Sequence, residues 1–382
     1  MLPVPVRLGV FYFAYFAYLG GYVPYFALYL AAQGFDAGQI ALLLGTPQLA
    51  RIVAPGFWGW LADRLAFHRR DAVRAIVVFS TAVIALAFHS LTAVQSFAGV
   101  LAVLAAMSLL SAGALPLVEA IALSTLRGSA AGYGPVRLWG SIGFVAAVLG
   151  AGAWLESRSA SAALAPIALL ASLAFGASLL LPRAPRLQPE RSATPLRAAL
   201  ARPGATALLG AGFCMAVAHG ALYGFYSIHL DRAGYGKTMI GLMWTLGVVA
   251  EVVVFLYLPA LLRRFTLHAI LGCSLALAAL RFTVIGWGAG SLALLACAQL
   301  LHAATFGAYH AASIAAIQKL FAGSLQARGQ ALHSSMSYGL GGFSGMLLAG
   351  WTWEMQGPEL TFSVSAIFGL AGLGLVAWKV RL

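Results

Sequence analysis

The sequence predicts an all-α integral membrane protein of twelve transmembrane helices arranged as two six-helix pseudo-repeats. Three observations predict it. The 382-residue chain is 62% hydrophobic and only 9% charged, with a mean hydropathy of +0.91, well outside the range of soluble domains. Apolar runs of about 20 residues, the length that spans a hydrocarbon core, recur about twelve times. Basic residues are confined to alternate loops. Barrel strands would alternate in hydropathy rather than run apolar for so long, so the class is helical.

The expected spans are 9–31, 38–61, 74–92, 97–124, 137–155, 162–181, 206–230, 238–260, 268–287, 291–316, 330–352 and 360–379. The net charge of +13 would point to nucleic acid in a soluble protein, but its distribution reads as topology. Arg7, Arg64, Arg69, Arg70, Arg74, Arg127, the set from Arg183 to Arg202, Arg263, Arg264, Lys319, Arg328, Lys379 and Arg381 fall in every second loop or at the ends. The opposite loops hold Arg158, Arg232 and Lys237 beside Asp36, Glu156, Asp231, Glu354 and Glu359. The positive-inside rule then makes both termini cytoplasmic, which demands an even number of spans. Arginine outnumbers lysine and asparagine is absent, a pattern like that of GC-rich bacterial genomes, so a bacterial inner membrane is the expected location.

The first run, "FYFAYFAYLGGYVPYFALYL", is retained as a helix, since it is too long for a signal segment and has no small-residue cleavage site. Its six tyrosines, Tyr12, Tyr15, Tyr18, Tyr22, Tyr25 and Tyr29, fall within an arc of about 140° at 100° per residue. An interfacial belt accounts only for the end members. The row either lines a polar path or packs against a neighbouring helix. Cys214, Cys273 and Cys297 lie singly in later spans without ligand spacing and read as packing residues. No metal or other cofactor is expected.

The interval "PRAPRLQPERSATPLRAALARPG" can neither span nor form a core, and reads as a cytoplasmic linker, residues 183–204, between halves 1–182 and 205–382. The halves echo each other: "PGFWGWLADR" and "PALLRR" each end a second helix, and "GSIGFVAAVLGAG" matches "GGFSGMLLAG". Parallel repeats around a central path are a plan of secondary transporters.

"GWLADR" followed by "HRR" resembles the loop signature between helices two and three of the major facilitator superfamily, which implies gating roles for Asp63 and Arg64. "PLVEAIALSTLRGSAAGYGPVRLWGSIGF" is similar to helices four and five of the lactose/proton symporter, and places Glu119 and Arg137 at its substrate positions. The aromatic that follows is Phe144 where the sugar carrier has tryptophan, which argues against a sugar. "GLMWTLGVVAEVVVF", "ALAALRF" and "QLLHAATFGAYHAA" resemble the 3-phenylpropionate/proton symporter branch, whose relatives make a nucleoside or oligosaccharide symporter the alternative. The resemblance implies a monomeric, proton-coupled symporter that takes a small organic anion, with the proton gradient as its energy source.

An ionisable side chain deep in a span costs roughly 2.5–3.5 kcal/mol and faces a cavity or a partner. Glu119 pairs with Arg137 either as a substrate and proton site or as a structural clasp. Glu251, amid "VVAEVVVFL", is either a proton switch or the permanent partner of Arg281 on the next span. Arg51 either binds a carboxylate through its guanidinium fork or partners Glu119. His302 and His310 are about 80° apart on one helix and can face one cavity with Phe306 and Tyr309; they lack the i, i+4 spacing of a helical metal pair. Tyr15, Tyr18, Tyr22 and Phe144 complete the expected substrate surface, and His302 joins Glu251, Glu119 and Arg281 in proton coupling. His219 is the weaker candidate on helix seven. No H-E-x-x-H, G-x-S-x-G or Walker sequence occurs, which argues against an enzyme.

Overall fold

Several helices begin and end where the sequence supplies caps. A computed structural model of the chain describes residues 2–68, 71–126, 130–183, 200, 204–321 and 323–380. Its helices are α1 (Val4–Ala32), α2 (Ala37–His68), α3 (Ala72–Ser90), α4 (Phe97–Ser111), α5 (Ala114–Thr125), α6 (Ala130–Leu155) and α7 (Leu164–Ser178). They continue as α8 (Ala205–Arg232), α9 (Lys237–Arg264), α10 (Leu267–Trp287), α11 (Leu292–Leu300), α12 (Tyr309–Leu320), α13 (Gln326–Ser334), α14 (Gly342–Gln356) and α15 (Pro358–Lys379). Two π-helical segments, Ala303–Ala308 and Ser335–Gly341, join α11 to α12 and α13 to α14. No strand occurs among the described residues.

Asp36 and Gln39 cap α2 reciprocally: the Gln39 N–H donates to Asp36 Oδ1 at 2.7 Å and the Asp36 N–H to Gln39 Oε1 at 3.2 Å. This is a capping box in which Asp and Gln take the usual places. Helix α1 ends with Gly34 at φ 87° and α8 with Gly234 at φ 89°. The amides of the following Phe35 and Tyr235 return to the carbonyls of Leu30 and Leu230, the closing bond of a Schellman motif. The echo between the two halves thus extends to how matching helices stop.

Among the described residues, nine helical stretches are long and apolar enough to cross a membrane, or ten if the bent α2 counts as one span. Helix α1 is long enough at 29 residues, but its tyrosines lower its mean hydropathy. The run from α13 to α14 opens on the polar stretch Gln326–Ser334, which lowers its hydropathy. The expected linker, residues 183–204, lies almost wholly outside the described residues.

The chain divides into two compact units. Unit 1 holds Met1–Phe35, Val53–Pro189 and Gly236–Gly241, and unit 2 holds Asp36–Ile52, Glu190–Tyr235 and Leu242–Leu382. In unit 1, α1 and α6 meet backbone to backbone. A Cβ on Gly20 would run into the carbonyl of Phe144, and one on Gly143 into that of Phe13. Tyr18, Tyr22 and Phe26 pack on Phe88 of α3, with ring centroids 5.6, 5.7 and 5.6 Å away. Tyr25 donates its hydroxyl to the Val148 carbonyl at 2.8 Å. Arg7 donates to the carbonyls of Leu180 and Leu181 and Arg74 to that of Leu179, so two basic residues that read as topology signals also satisfy carbonyls just past the end of α7. In unit 2, α8 and α14 cross in the same close manner at Gly220 and Gly345.

Each unit also contains a carboxylate set on a helix start. In unit 1 Glu156 Oε2 accepts the Thr238 N–H at 2.6 Å, at the beginning of α9. In unit 2 Glu354 Oε1 accepts the Gly38 N–H at 2.7 Å, at the beginning of α2. A helix N-terminus carries partial positive charge and free N–H groups, so a carboxylate is stabilised there. The hydrogen bonds from Thr238, with Lys237 nearby, hold the exposed Glu156 carboxyl below the usual carboxylate range. A group with a depressed value stabilises the fold above its unfolded value, and that stability is lost as pH falls through the folded one. Glu156→Gln is therefore expected to lower the melting temperature in detergent at neutral pH. The difference from wild type should close as pH falls below the carboxylate range; a difference that persists there would show that the carboxylate charge is not the cause.

Candidate functional site

Each unit gathers its charged residues into one aromatic cluster. In unit 1 the donors are α1, α5 and α6. Tyr133 and Arg137 stand one turn apart on α6, Tyr12 and Phe16 one turn apart on α1, and side chains four apart share a helix face. The Arg137 guanidinium carbon sits 4.1 Å from the Phe16 ring centroid and 5.7 Å from that of Tyr12, distances for cation–π attraction. Tyr133 meets Tyr12 edge-on at 6.4 Å and donates its hydroxyl to Glu119 Oε1 at 3.5 Å. Glu119 and Arg137 act on each other electrostatically. Among the described residues, however, Arg137 forms no ion pair within 4 Å. Of the two readings, the structural clasp is not formed among the described residues; the arrangement is open, with Tyr133 beside the carboxylate. A guanidinium held over rings rather than by a carboxylate can still present its N–H fork to an anion, and that fork matches a carboxylate in two-pronged geometry.

Other expected members lie elsewhere in unit 1. Tyr15 and Tyr18 are buried and Tyr22 half-buried, and Tyr18 and Tyr22 pack on Phe88 as described. Half-buried Phe144 gives its backbone to the α1 crossing. Tyr12 joins the Arg137 cluster, Tyr15 reaches it by meeting Phe16 edge-on at 5.9 Å, and Tyr18 and Tyr22 turn to Phe88. Tyr133 and Phe16 were not among the expected residues, though Tyr133 lies one turn before Arg137 in sequence.

In unit 2 the cluster is built by α8, α9, α10, the run from α11 to α12, and the second π segment. Glu251 Oε2 lies 3.4 Å from His302 Nε2. The arginine expected beside Glu251 turns away from it. Arg281 is fully buried and donates to the Ala298 carbonyl at 3.0 Å, Thr305 Oγ1 at 3.1 Å and Gln299 Oε1 at 3.1 Å. Its five donors suit this fixed set of acceptors, so the expected Glu251–Arg281 pair is corrected to Glu251–His302, with Arg281 tying α10 to the neighbouring span. His302, Phe306 and His310 form a near-parallel ladder, with centroids 5.2 Å apart at 9° and 6.3 Å apart at 10°. The His310 Nδ1 bonds the Tyr338 hydroxyl at 2.8 Å.

Arg51, exposed on the part of α2 that belongs to unit 2, acts electrostatically on Tyr338 and Tyr223. His219 is held as a packing group: its Nδ1 bonds the Met215 carbonyl at 2.8 Å and its ring meets Phe282 edge-on at 5.1 Å. Arg64 is exposed with its guanidinium 5.4 Å from the Trp60 ring, and the side chain of Asp63 lies outside the described residues. One apolar groove of about 470 Å³, walled by Phe13, Ala146, Trp154 and Leu169 among others, contains none of these charged groups. It offers nothing to an anion. Among the described residues no three His, Cys, Asp or Glu side chains converge in a way that would hold a metal.

Comparison with known proteins places the chain by family and fold. The model of the MFS_1 like family matches residues 6–364. The chain is similar to a probable 3-phenylpropionic acid transporter of Escherichia coli, 31% identical with 96% of each chain covered. It is also similar to a putative nucleoside transporter of the same species, 25% identical with 92% of this chain and 86% of the relative covered. Among solved structures the nucleoside transporter NupG superposes with a TM-score of 0.82 at 19% identity, covering 98% of both chains, a likeness of fold.

Proposed function

The chain belongs to the MFS_1 like family, and on that footing of a secondary transporter, not an enzyme, we propose that it imports a small aromatic carboxylate such as 3-phenylpropionate in symport with protons. The observation that carries this reading is Arg137 lying over Phe16 beside Tyr12, with no ion-pair partner among the described residues. A bare charge is costly to enclose in hydrocarbon. An anion whose carboxylate meets the guanidinium and whose ring meets the phenols cancels that cost, while the pair of Glu251 and His302 holds the coupled proton. In the cycle, proton and anion bind from the outside, the balanced form rocks inward around the sites by alternating access, and the higher cytoplasmic pH favours proton release. On this reading the chain works as a monomer in a bacterial inner membrane with both termini cytoplasmic and twelve spans.

The similarity to nucleoside transporters favours a second reading, a nucleoside/proton symporter. Purified protein in liposomes, given labelled 3-phenylpropionate with an inward proton gradient and then with the gradient collapsed, separates the two. Passive entry of the protonated acid is subtracted with empty liposomes. Accumulation is expected only with protein and gradient together. Uptake of uridine or adenosine in place of the acid would overturn the carboxylate reading. Arg137→Lys is expected to raise KM for the acid about 10- to 100-fold, since a point charge cannot reproduce the stacked fork. Equal losses for neutral and acidic ligands would argue against carboxylate contact.

A further inference from the structure

His302, Phe306 and His310 stack in sequence, each ring within about 10° of parallel with the next at centroid separations of 5.2 and 6.3 Å. The π segment Ala303–Ala308 lies between the two histidines, where i→i+5 bonding widens the turn. The first histidine of the stack meets Glu251 directly, at 3.4 Å. Gly307 stands between the two histidines in sequence, and a Cβ there would lie 3.2 Å from Glu251 Cγ. The missing side chain gives the glutamate room alongside the row.

The two histidines differ in what holds them. His302 faces Glu251 with Nε2, and its buried Nδ1 has no hydrogen-bond partner. His310 is held through Nδ1 by the Tyr338 hydroxyl, which leaves its Nε2 without a hydrogen bond among the described residues. Glu251 acts electrostatically on His310.

We propose that Glu251 has two alternative imidazole partners, His302 and His310, and that Tyr338 is the positioning residue that keeps His310 ready to take the proton. This rests on the proton-coupled reading above and names the second station of the same site. When the Tyr338 oxygen accepts the Nδ1–H of His310, the Nε2 lone pair is free. The O–H bond of protonated Glu251 breaks as the Nε2–H bond of His310 forms; the bonding pair stays on the carboxylate, and a carboxylate faces an imidazolium. The return transfer restores both groups. The other titratable or charged groups around the row among the described residues are His219 and Tyr223 on α8, Arg281 on α10, Tyr309 on α12, Arg51 on α2, and Tyr338 and His333 from the run of α13 and the second π segment. None of these supplies a second carboxylate.

The test reads Glu251 directly and needs no substrate. Infrared difference spectra of the purified full-length protein, titrated in pH, follow the Glu251 carboxyl band, assigned by its loss in Glu251→Gln. Single variants His302→Gln, His310→Gln and Tyr338→Phe are compared with wild type. Each is expected to displace the midpoint by about one pH unit, as removal of a nearby charge partner does, with Tyr338→Phe mimicking His310→Gln in part. A Glu251 titration in His310→Gln that coincides with wild type, while His302→Gln shifts it, would overturn the proposal. In liposomes His310→Gln is expected to lose most gradient-driven accumulation of 3-phenylpropionate. If the wild type accumulates no tested substrate, the symport reading fails, and the infrared titration still decides the pairing.

Discussion

Glu251→Gln is expected to abolish accumulation against a gradient while leaving substrate exchange near the wild-type rate. The amide keeps the size and hydrogen-bonding edge of the carboxyl, so the contact with His302 at 3.4 Å retains its shape, but the group no longer takes up or loses a proton. For one proton per substrate, each unit of pH difference supports about tenfold accumulation. In the variant this ratio should fall to about one. Arg281 offers the contrast. Its three hydrogen bonds go to a carbonyl, an amide oxygen and a hydroxyl, so its replacement should reduce folded yield before it changes coupling. Accumulation by Glu251→Gln equal to wild type would remove this carboxyl from the coupling path and direct attention to Glu119.

The largest structural effect is expected at Gly220. A Cβ there would collide with the backbone of Gly345, and one on Gly345 would lie 2.5 Å from the Val217 carbonyl oxygen. Backbone cannot step aside as a side-chain tip can. Overpacking a close-packed interior costs about 1–3 kcal/mol even where neighbours adjust, and close approach of small residues is a main source of helix association in lipid. Gly220→Leu should therefore yield little monodisperse protein after detergent extraction. Gly374→Leu, at a position where a Cβ meets nothing within 4 Å, should purify as wild type does. Equal yields from both would show that the α8–α14 crossing tolerates separation.

How much of this was legible in the sequence depended on the kind of signal. Long apolar runs and alternating basic loops mark helices and their order because lipid admits few alternatives. Depth in a span picked out Glu119, Arg137, Glu251 and Arg281, since a buried charge is rare without a reason. Partners were less legible. An arginine and a glutamate on adjacent spans suggested a pair, yet Arg281 is taken up by Ala298, Gln299 and Thr305, acceptors that hydropathy does not distinguish from packing residues. The tyrosine row shared one arc, but an arc does not state its neighbour; Phe88 and Val148 occupy the middle and later part of that face. The π segments left no periodic mark, because one extra residue in a turn shifts a pattern no more than chance substitutions do.

Those two π segments have a mechanical consequence. A π turn is one residue of slack within an otherwise continuous helix, and passing it along by a turn rotates the intervening side chains by about 100° without breaking the helix. Ala303–Ala308 carries Phe306, and Ser335–Gly341 carries Tyr338. The helices that bear Phe306 and Tyr338 therefore hold their own gearing: either ring can be turned to another face while the ends of its helical run stay fixed.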